Sequence, residues 1–184
     1  RVWPGTHYPY SKEASLMEEV VSEMKTRNLF ASIDIHNNTG LNPHYACINR
    51  LDNEFLHMAA LFAPTAVYFL TPRGVQSMAF SELCPAVTLE CGKAGTKSGI
   101  KHALEDVEAV LHMSNIPRHK IAAQDLHLFH TIARVNVPDH VSVSFTDKQA
   151  IILFNSELEK RSCGEVAADT GGGGGSDPGR ARPL

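Results

Sequence analysis

Two residues that could carry out hydrolysis stand at the ends of apolar stretches that predict short strands. His36 closes the stretch 29–35, and Glu90 closes the stretch 85–89. In open α/β sheets functional groups gather beyond the carboxyl ends of the strands, so both residues could face one crevice. An imidazole is the commonest neutral zinc ligand, and a carboxylate beside a metal-bound water can take its proton. By position alone, a hydrogen-bonded loop histidine and a surface glutamate are the favoured interpretation.

The residues around these two positions are more specific. Residues 32–40 (Ser-Ile-Asp-Ile-His-Asn-Asn-Thr-Gly) resemble the D-[IL]-H-N-x-T segment of the succinylglutamate desuccinylase/aspartoacylase family, a branch of the zinc carboxypeptidase clan. Residues 87–92 (Val-Thr-Leu-Glu-Cys-Gly) resemble that family's T-x-E-x-G segment, and residues 1–5 resemble the end of its N-R-x-x-P-G segment. The segments occur in the family's order. The resemblance covers residues 1–115 well and residues 120–168 weakly.

The resemblance implies a role for each matching residue. His36 matches a zinc ligand, and Glu90 matches the general base and acid that activates the zinc-bound water. Arg1 matches the arginine that holds the substrate carboxylate, a task that suits a bidentate guanidinium. Asn37 is also expected to bind substrate. Asp34 lies two residues before His36 on the same side of a strand. It either orients His36 or the substrate, or it forms a hydrogen bond with a neighbouring loop.

Two further zinc ligands are expected from an H-x-x-E segment that lies upstream of the arginine in the family. The H-x-x-E of this chain, residues 102–105, follows Glu90 and is therefore in the wrong order. It lies on a predicted helix that begins near Ile100, with position 102 about 200° from the apolar stripe, so we expect a solvated helix face. The chain is therefore interpreted as a fragment that lacks the first zinc motif.

Other polar residues near strand ends are weaker candidates. Arg73 lies in a Pro-Arg-Gly turn that we expect at the same carboxyl edge, as a substrate contact, although a solvated turn arginine is slightly favoured. His44 is close enough in sequence to contact substrate, but such a residue more often packs in its loop. His127 and His130 are three residues apart in a predicted strand and point to opposite faces, which argues against a shared metal ion.

The elements that must position these residues alternate between strand and helix as far as about residue 115. Ser11 is a plausible N-cap for the first helix. Six apolar residues of the last helix form one stripe at helical spacing: Ile100, Ala103, Leu104, Val107, Val110 and Leu111. Helices are predicted over residues 12–27, 52–62 and 100–112, and strands over 29–35, 67–70 and 85–90. This order predicts an α/β fold, with a mostly parallel sheet flanked by helices, as in zinc carboxypeptidases.

The pattern changes after Pro117. Three further strands, predicted over residues 125–136, 140–146 and 150–154, follow without helices and indicate a small C-terminal β appendage. We therefore divide the chain into a partial catalytic domain (1–116), a β-rich part (117–168) and a glycine-rich tail (169–184). The tail cannot bury a core, so we expect it to be disordered.

Composition excludes several classes of protein. The net charge of −3 offers no basic surface for nucleic acid. No apolar run approaches the roughly 20 residues of a membrane helix, and the chain does not begin with the apolar core of a signal peptide. The four cysteines, at positions 47, 84, 91 and 163, are not spaced as C-x-x-C. We expect reduced, mostly buried thiols and a cytoplasmic protein.

The resemblance thus implies a zinc-dependent hydrolase that cleaves the amide or ester bond of an N-acyl amino acid or a similar small carboxylate. The expected cofactor is zinc, and the expected partner is this small-molecule substrate, with no nucleic acid and no membrane. A peptide carboxypeptidase of the same clan is an alternative, and so is a non-catalytic domain that binds a carboxylate. The sequence determines neither the acyl group nor the oligomeric state.

Overall fold

The structure is a computed structural model, and it describes residues 2–6, 11–40, 42–133, 136–146 and 149–154. Arg1 and the predicted tail lie outside these ranges, and so does Cys163.

Helices and strands alternate along the described chain. The helices are α1 (Lys12–Met24), α2 (Asn53–Phe62), α3 (Gln76–Phe80) and α4 (Lys97–Leu111). The strands of the main sheet are β1 (Ser32–Asn38), β2 (Tyr45–Ile48), β3 (Thr65–Tyr68), β4 (Ala86–Lys93) and β5 (His127–His130). A separate parallel pair consists of β6 (Val143–Ser144) and β7 (Ile152–Leu153).

The main sheet has the strand order β1-β4-β2-β3-β5. The pairs β1/β4, β2/β3 and β3/β5 are parallel, and β2 runs antiparallel to β4. The predicted α/β architecture with its mostly parallel sheet is confirmed, and the predicted small C-terminal β appendage corresponds to the parallel pair β6/β7. Because β2 is reversed, the carboxyl ends of β1 and β4 lie at the edge where β2 begins, while β2 and β3 end at the opposite edge.

The helices cover the sheet and close a single core. α2 packs on β2, β3 and β4, α4 packs on β4 and β1, and α3 packs on the same two strands. Ser11 caps α1, as predicted, by accepting a hydrogen bond from the Ala14 amide at 3.1 Å. The most completely buried apolar side chains come from the central strands and α2, and they include Ile48, Met58, Val87 and Leu89.

Helix α4 forms where it was predicted, but the predicted buried stripe is partly wrong. Its buried residues are Gly99, Ala103, Asp106 and Val110, whereas three apolar residues of the predicted stripe are mostly exposed: Ile100 (69%), Leu104 (56%) and Leu111 (77%). The reason is close approach at Gly99, where an added Cβ would overlap the Cys91 carbonyl oxygen. The helix packs through its small residues, and this rotates the larger ones outward.

Two short elements were missed, and several boundaries moved. β2 has only four residues and α3 only five, so neither shows a full hydrophobic period. β1 starts later than predicted and continues to Asn38 through a predicted turn, and β4 continues to Lys93 through a predicted loop. Pairing between the two strands overrides the turn preference of the asparagines and glycine. The three predicted C-terminal strands are shorter, and β5 pairs with β3 of the main sheet.

Two further expectations concern the thiols and the membrane. Among the described residues, Cys47, Cys84 and Cys91 form no disulfide bond, and the latter two are buried. Within the part of the chain that the structure describes, no helix combines the length and the apolar character needed to cross a membrane.

Candidate active site

Strands β1 and β4 bring His36 and Glu90 together. The register pairs Asp34 with Thr88 and His36 with Glu90. Neighbouring strands are about 4.8 Å apart, and paired residues of a parallel ladder point to the same face of the sheet. The two residues therefore share one face at one edge of the sheet.

Asp34 contacts His36 directly. Its Oδ2 atom lies 3.2 Å from His36 Nε2, and 52% of the His36 side chain is exposed compared with 20% of the Asp34 side chain. Of the two alternatives for Asp34, the structure shows the contact with the histidine. Because Nε2 is the ring nitrogen beside Asp34, Nδ1 is the nitrogen that remains to meet another group.

The carboxyl group of Glu90 has a perturbed environment. Burial raises its pKa above the ordinary value, whereas nearby His36 and the Asn38 amide lower it, and Asp34 raises it further. The Asn38 amide is buried beside the carboxylate, although neither its nitrogen nor its oxygen makes a hydrogen bond of good geometry. A carboxyl group whose pKa is moved upwards is better matched to proton transfer near neutral pH.

A β-bulge follows Glu90. The register passes from His36–Glu90 to Asn38–Lys93, so β4 contains one residue more than β1 over this interval. Gly92 has φ of 75° within the bulge, a conformation that favours glycine, and a Cβ there would lie 3.4 Å from the His44 ring. The backbone conformation and the nearby His44 ring thus explain why the T-x-E-x-G segment has glycine at position 92, which the sequence alone did not indicate.

Asn37 lies on a small cleft beside the site. The cleft, of about 100 Å³, is bordered by His36 and Asn37 of β1, by Cys91 and Lys93 of β4, and by Ile100 of α4. Its volume is below the roughly 300–1,000 Å³ of typical ligand pockets. The cleft could receive one small group of a ligand.

The position of Arg73 corrects one premise of the sequence analysis. Arg73 was expected at the same carboxyl edge as His36 and Glu90, but β3 ends at the opposite edge because β2 is antiparallel to β4. Arg73 is exposed, five residues after the end of that strand. Its role in substrate binding stays a prediction. Arg1 lies outside the described residues.

The H-x-x-E of α4 was expected on a solvated helix face, and this expectation holds for Glu105 but not for His102. His102 is half-buried: its Nε2 lies 2.6 Å from the Phe62 carbonyl oxygen, and its ring stacks on His44 with a centroid distance of 4.5 Å. Glu105 is exposed, and its Oε2 lies 4.0 Å from His102 Nδ1. The outward rotation of the large apolar residues of α4 turns position 102 towards α2. His44 is a packed residue of this cluster.

The described residues do not form a complete zinc site. Those residues contain no group of three or more His, Cys, Asp or Glu side chains able to hold a metal ion. A catalytic zinc requires three protein ligands and an open position. His36 offers one imidazole, and the carboxyl groups beside it already contact that ring or stand half-buried.

The fold places a histidine and a glutamate side by side at one edge of a mostly parallel α/β sheet. A succinylglutamate desuccinylase from Chromobacterium violaceum has a similar solved structure, with a TM-score of 0.57 and 19% identity over 83% of this chain. The predicted resemblance is confirmed for the fold. This chain spans 53% of that protein's length.

A second similar structure is the ectoine utilization protein EutE (DoeB) from Ruegeria pomeroyi, in its apo form. It has a TM-score of 0.48 and 15% identity, and the match covers 70% of this chain and 45% of the EutE chain. No protein-family model matches this sequence, and no curated protein matches it.

Proposed function

We propose that this chain is part of a zinc-dependent hydrolase that cleaves the amide or ester bond of N-acyl amino acids or similar small carboxylates. The observation that carries the proposal is the pairing of His36 with Glu90 on adjacent parallel strands, inside segments that resemble D-[IL]-H-N-x-T and T-x-E-x-G. The desuccinylase fold supports the same assignment. The substrate would be a small molecule, and the protein would work in the cytoplasm.

In this proposal Glu90 moves the proton. It takes a proton from the attacking water as the water oxygen bonds to the acyl carbon. The carbon–nitrogen bond then breaks, and Glu90 returns the proton to the leaving amine, so that one water yields one acid and one amine. The raised pKa of Glu90 suits both halves of this cycle. Asp34 holds the His36 ring in its orientation at the same edge.

Zinc belongs to the proposal only for a protein that supplies more ligands than the described residues do. An H-x-x-E segment beside β1 would add an imidazole and a carboxylate to His36. When bound to such a set, zinc polarises a carbonyl group and lowers the pKa of a coordinated water.

Three residues are proposed to recognise substrate. Asn37 borders the small cleft next to His36 and can offer an amide to a ligand. Arg1 would bind the carboxylate through its guanidinium. Arg73 is the least supported of the three, since β3 ends at the far edge of the sheet.

A non-catalytic carboxylate-binding protein is the second candidate. The observation in its favour is that the described residues lack a three-ligand metal group. A peptide carboxypeptidase of the same clan would use the same edge with a larger substrate.

The experiment is a hydrolysis assay on the longest natural form of the protein, with its zinc content measured in parallel. Short N-acyl amino acids, the corresponding esters and peptides with a free carboxyl terminus serve as substrates. Release of the amino acid from the N-acyl compounds supports the proposed activity, whereas preferential release of a C-terminal residue indicates a carboxypeptidase. Binding of carboxylates without turnover of any substrate would reject the enzymatic proposal.

A further inference from the structure

A partly buried polar cluster lies outside the candidate site, beside the strand that carries Glu90. It consists of His44, which precedes β2, and of His102 and Asp106 on α4. The His44 and His102 rings stack with an interplanar angle of 25°, and the His102 ring also lies 4.6 Å from the Phe62 ring. This cluster plays no part in the proposed hydrolysis.

Asp106 is the unusual member. It is 5% exposed, and in the described structure neither carboxyl oxygen has a hydrogen-bond partner. An ionised carboxylate in this setting is costly, because desolvation is not compensated by hydrogen bonds. Burial accordingly raises the pKa of Asp106 to about 6, and the nearby His102 opposes the shift.

The two histidines face a complementary constraint. His102 Nε2 donates to the Phe62 carbonyl oxygen, and two stacked rings cannot both become cationic without repulsion. Burial and the neighbouring His102 both lower the pKa of His44. In the folded chain Asp106 is therefore easier to protonate, and His44 harder to protonate, than the same residue in solvent.

The groups that face the cluster are few. Within α4 itself they are His102 and the exposed Glu105, whose Oε2 lies 4.0 Å from His102 Nδ1. From β4 it is the Cys91 thiol. The pKa of this thiol is raised by burial, by Glu90 and, to a smaller extent, by Asp106. From α2 it is the Phe62 backbone carbonyl and ring. Charge within the cluster is therefore set mainly by its own three members.

We propose that His44, His102 and Asp106 form a pH-sensitive latch, which joins α4 to α2 and to the segment before β2. The latch contacts residues close to Glu90. The ring of His44 faces Gly92, two residues after Glu90, and α4 approaches Cys91 at Gly99. A change of charge in the latch therefore acts on the β-bulge beside the candidate site. The latch is independent of any hydrolytic activity.

The sign of the effect follows from the two shifted groups. Asp106 binds its proton more tightly in the folded chain, so its contribution to stability is present at acid pH and is lost as pH rises through about 6. His44 binds its proton less tightly in the folded chain, so its contribution is present above its ordinary pKa of 6.5 and is lost as pH falls. The two slopes oppose each other between about pH 4 and 7.

The test is chemical denaturation of the chain at several pH values between 4 and 8, with two single variants. In Asp106→Asn the loss of stability that Asp106 causes at rising pH should disappear. The folding equilibrium constant of the variant, relative to that of the unmodified chain, should therefore rise by up to roughly 10²-fold between pH 4 and pH 8. In His44→Phe, which keeps a ring for stacking, stability should instead increase as pH falls from 7 to 5. Asp125→Asn, at an exposed aspartate, is the matched control and should leave the profile unchanged.

A second measurement remains informative if a variant fails to fold. In the unmodified chain, the imidazole signals of His44 should titrate below the ordinary histidine pKa of 6.5 by nuclear magnetic resonance. Amide exchange in α4 and at residues 91–93, corrected for intrinsic rates, should change across the same pH interval. Parallel stability profiles for Asp106→Asn and the unmodified chain, or a His44 titration at or above the ordinary histidine pKa of 6.5, would overturn the latch.

Discussion

His36 of β1 and Glu90 of β4 are register partners in adjacent parallel strands. Their backbones are thereby fixed at one strand spacing, and both side chains point to the same face of the sheet. Asp34, two residues earlier on that face, touches the His36 ring. The central claim of the proposed function is that this arrangement pairs a metal-binding imidazole with a proton-transferring carboxylate.

The first prediction concerns metal content. The 184-residue chain, purified alone and dialysed, should contain clearly less than one equivalent of zinc by elemental analysis, because three ligands are needed and the described residues contain no group of three beside His36. His36→Ala should reduce the residual zinc further, while His112→Ala serves as the control. One full equivalent of zinc in the unmodified chain would show that the ligand assignment is incomplete.

A second prediction links the environment of Glu90 to stability. Burial raises the pKa of Glu90 in the folded chain, so the folded state binds this proton more tightly than the unfolded state. The stabilising contribution is then present at acid pH and lost as pH rises through the folded-state pKa. Glu90→Gln should therefore gain stability relative to the unmodified chain at pH 8, and gain less at pH 4.

Denaturant titrations at the two pH values measure this difference. Glu108→Gln, at an exposed position of α4, is the control and should change the free energy of unfolding by less than about 0.5 kcal/mol. If Glu90→Gln differed from the unmodified chain by the same free energy at both pH values, folding would leave the pKa of Glu90 unchanged, and the prediction would be wrong.

The third prediction tests the docking of α4. Gly99→Ala places a Cβ against the Cys91 carbonyl oxygen, and a backbone atom cannot move aside cheaply. Despite the better helix propensity of alanine, we expect a loss of about 1–3 kcal/mol in the free energy of unfolding. Ser98→Ala, one residue earlier and exposed, should change it by less than about 0.5 kcal/mol. Equal stability of the two variants would contradict the close approach.

Local sequence signals predicted much of the fold. The apolar stretches before His36 and Glu90 formed paired strands, and the helices formed close to their predicted positions. What local patterns could not supply is long-range pairing. The reversed direction of β2 depends on its neighbour β4, and this direction decides that β3 and Arg73 leave the sheet at the far edge.

The orientation of α4 was a second failure of local reasoning. The apolar stripe predicted that Ile100 would be buried and that His102 would be solvated. In the structure, contact at Gly99 turns Ile100 outward and places His102 against Phe62. A small residue that permits close backbone approach has no hydrophobic signature, so hydropathy alone could not locate this face. The glycine and buried aspartate within an otherwise amphipathic helix were the available signals.

The most direct test of the central claim is the turnover number of Glu90→Gln on an N-acyl amino acid, in the longest natural form of the protein that binds zinc. Zinc content and fold should be retained, because the proposal gives Glu90 proton transfer and not metal binding. The turnover number should fall by at least about 10²–10⁴-fold, the usual contribution of general acid–base catalysis. His36→Ala should lose both metal and activity. Near-normal turnover of Glu90→Gln would contradict the proposed mechanism and leave only the fold in common with the desuccinylase.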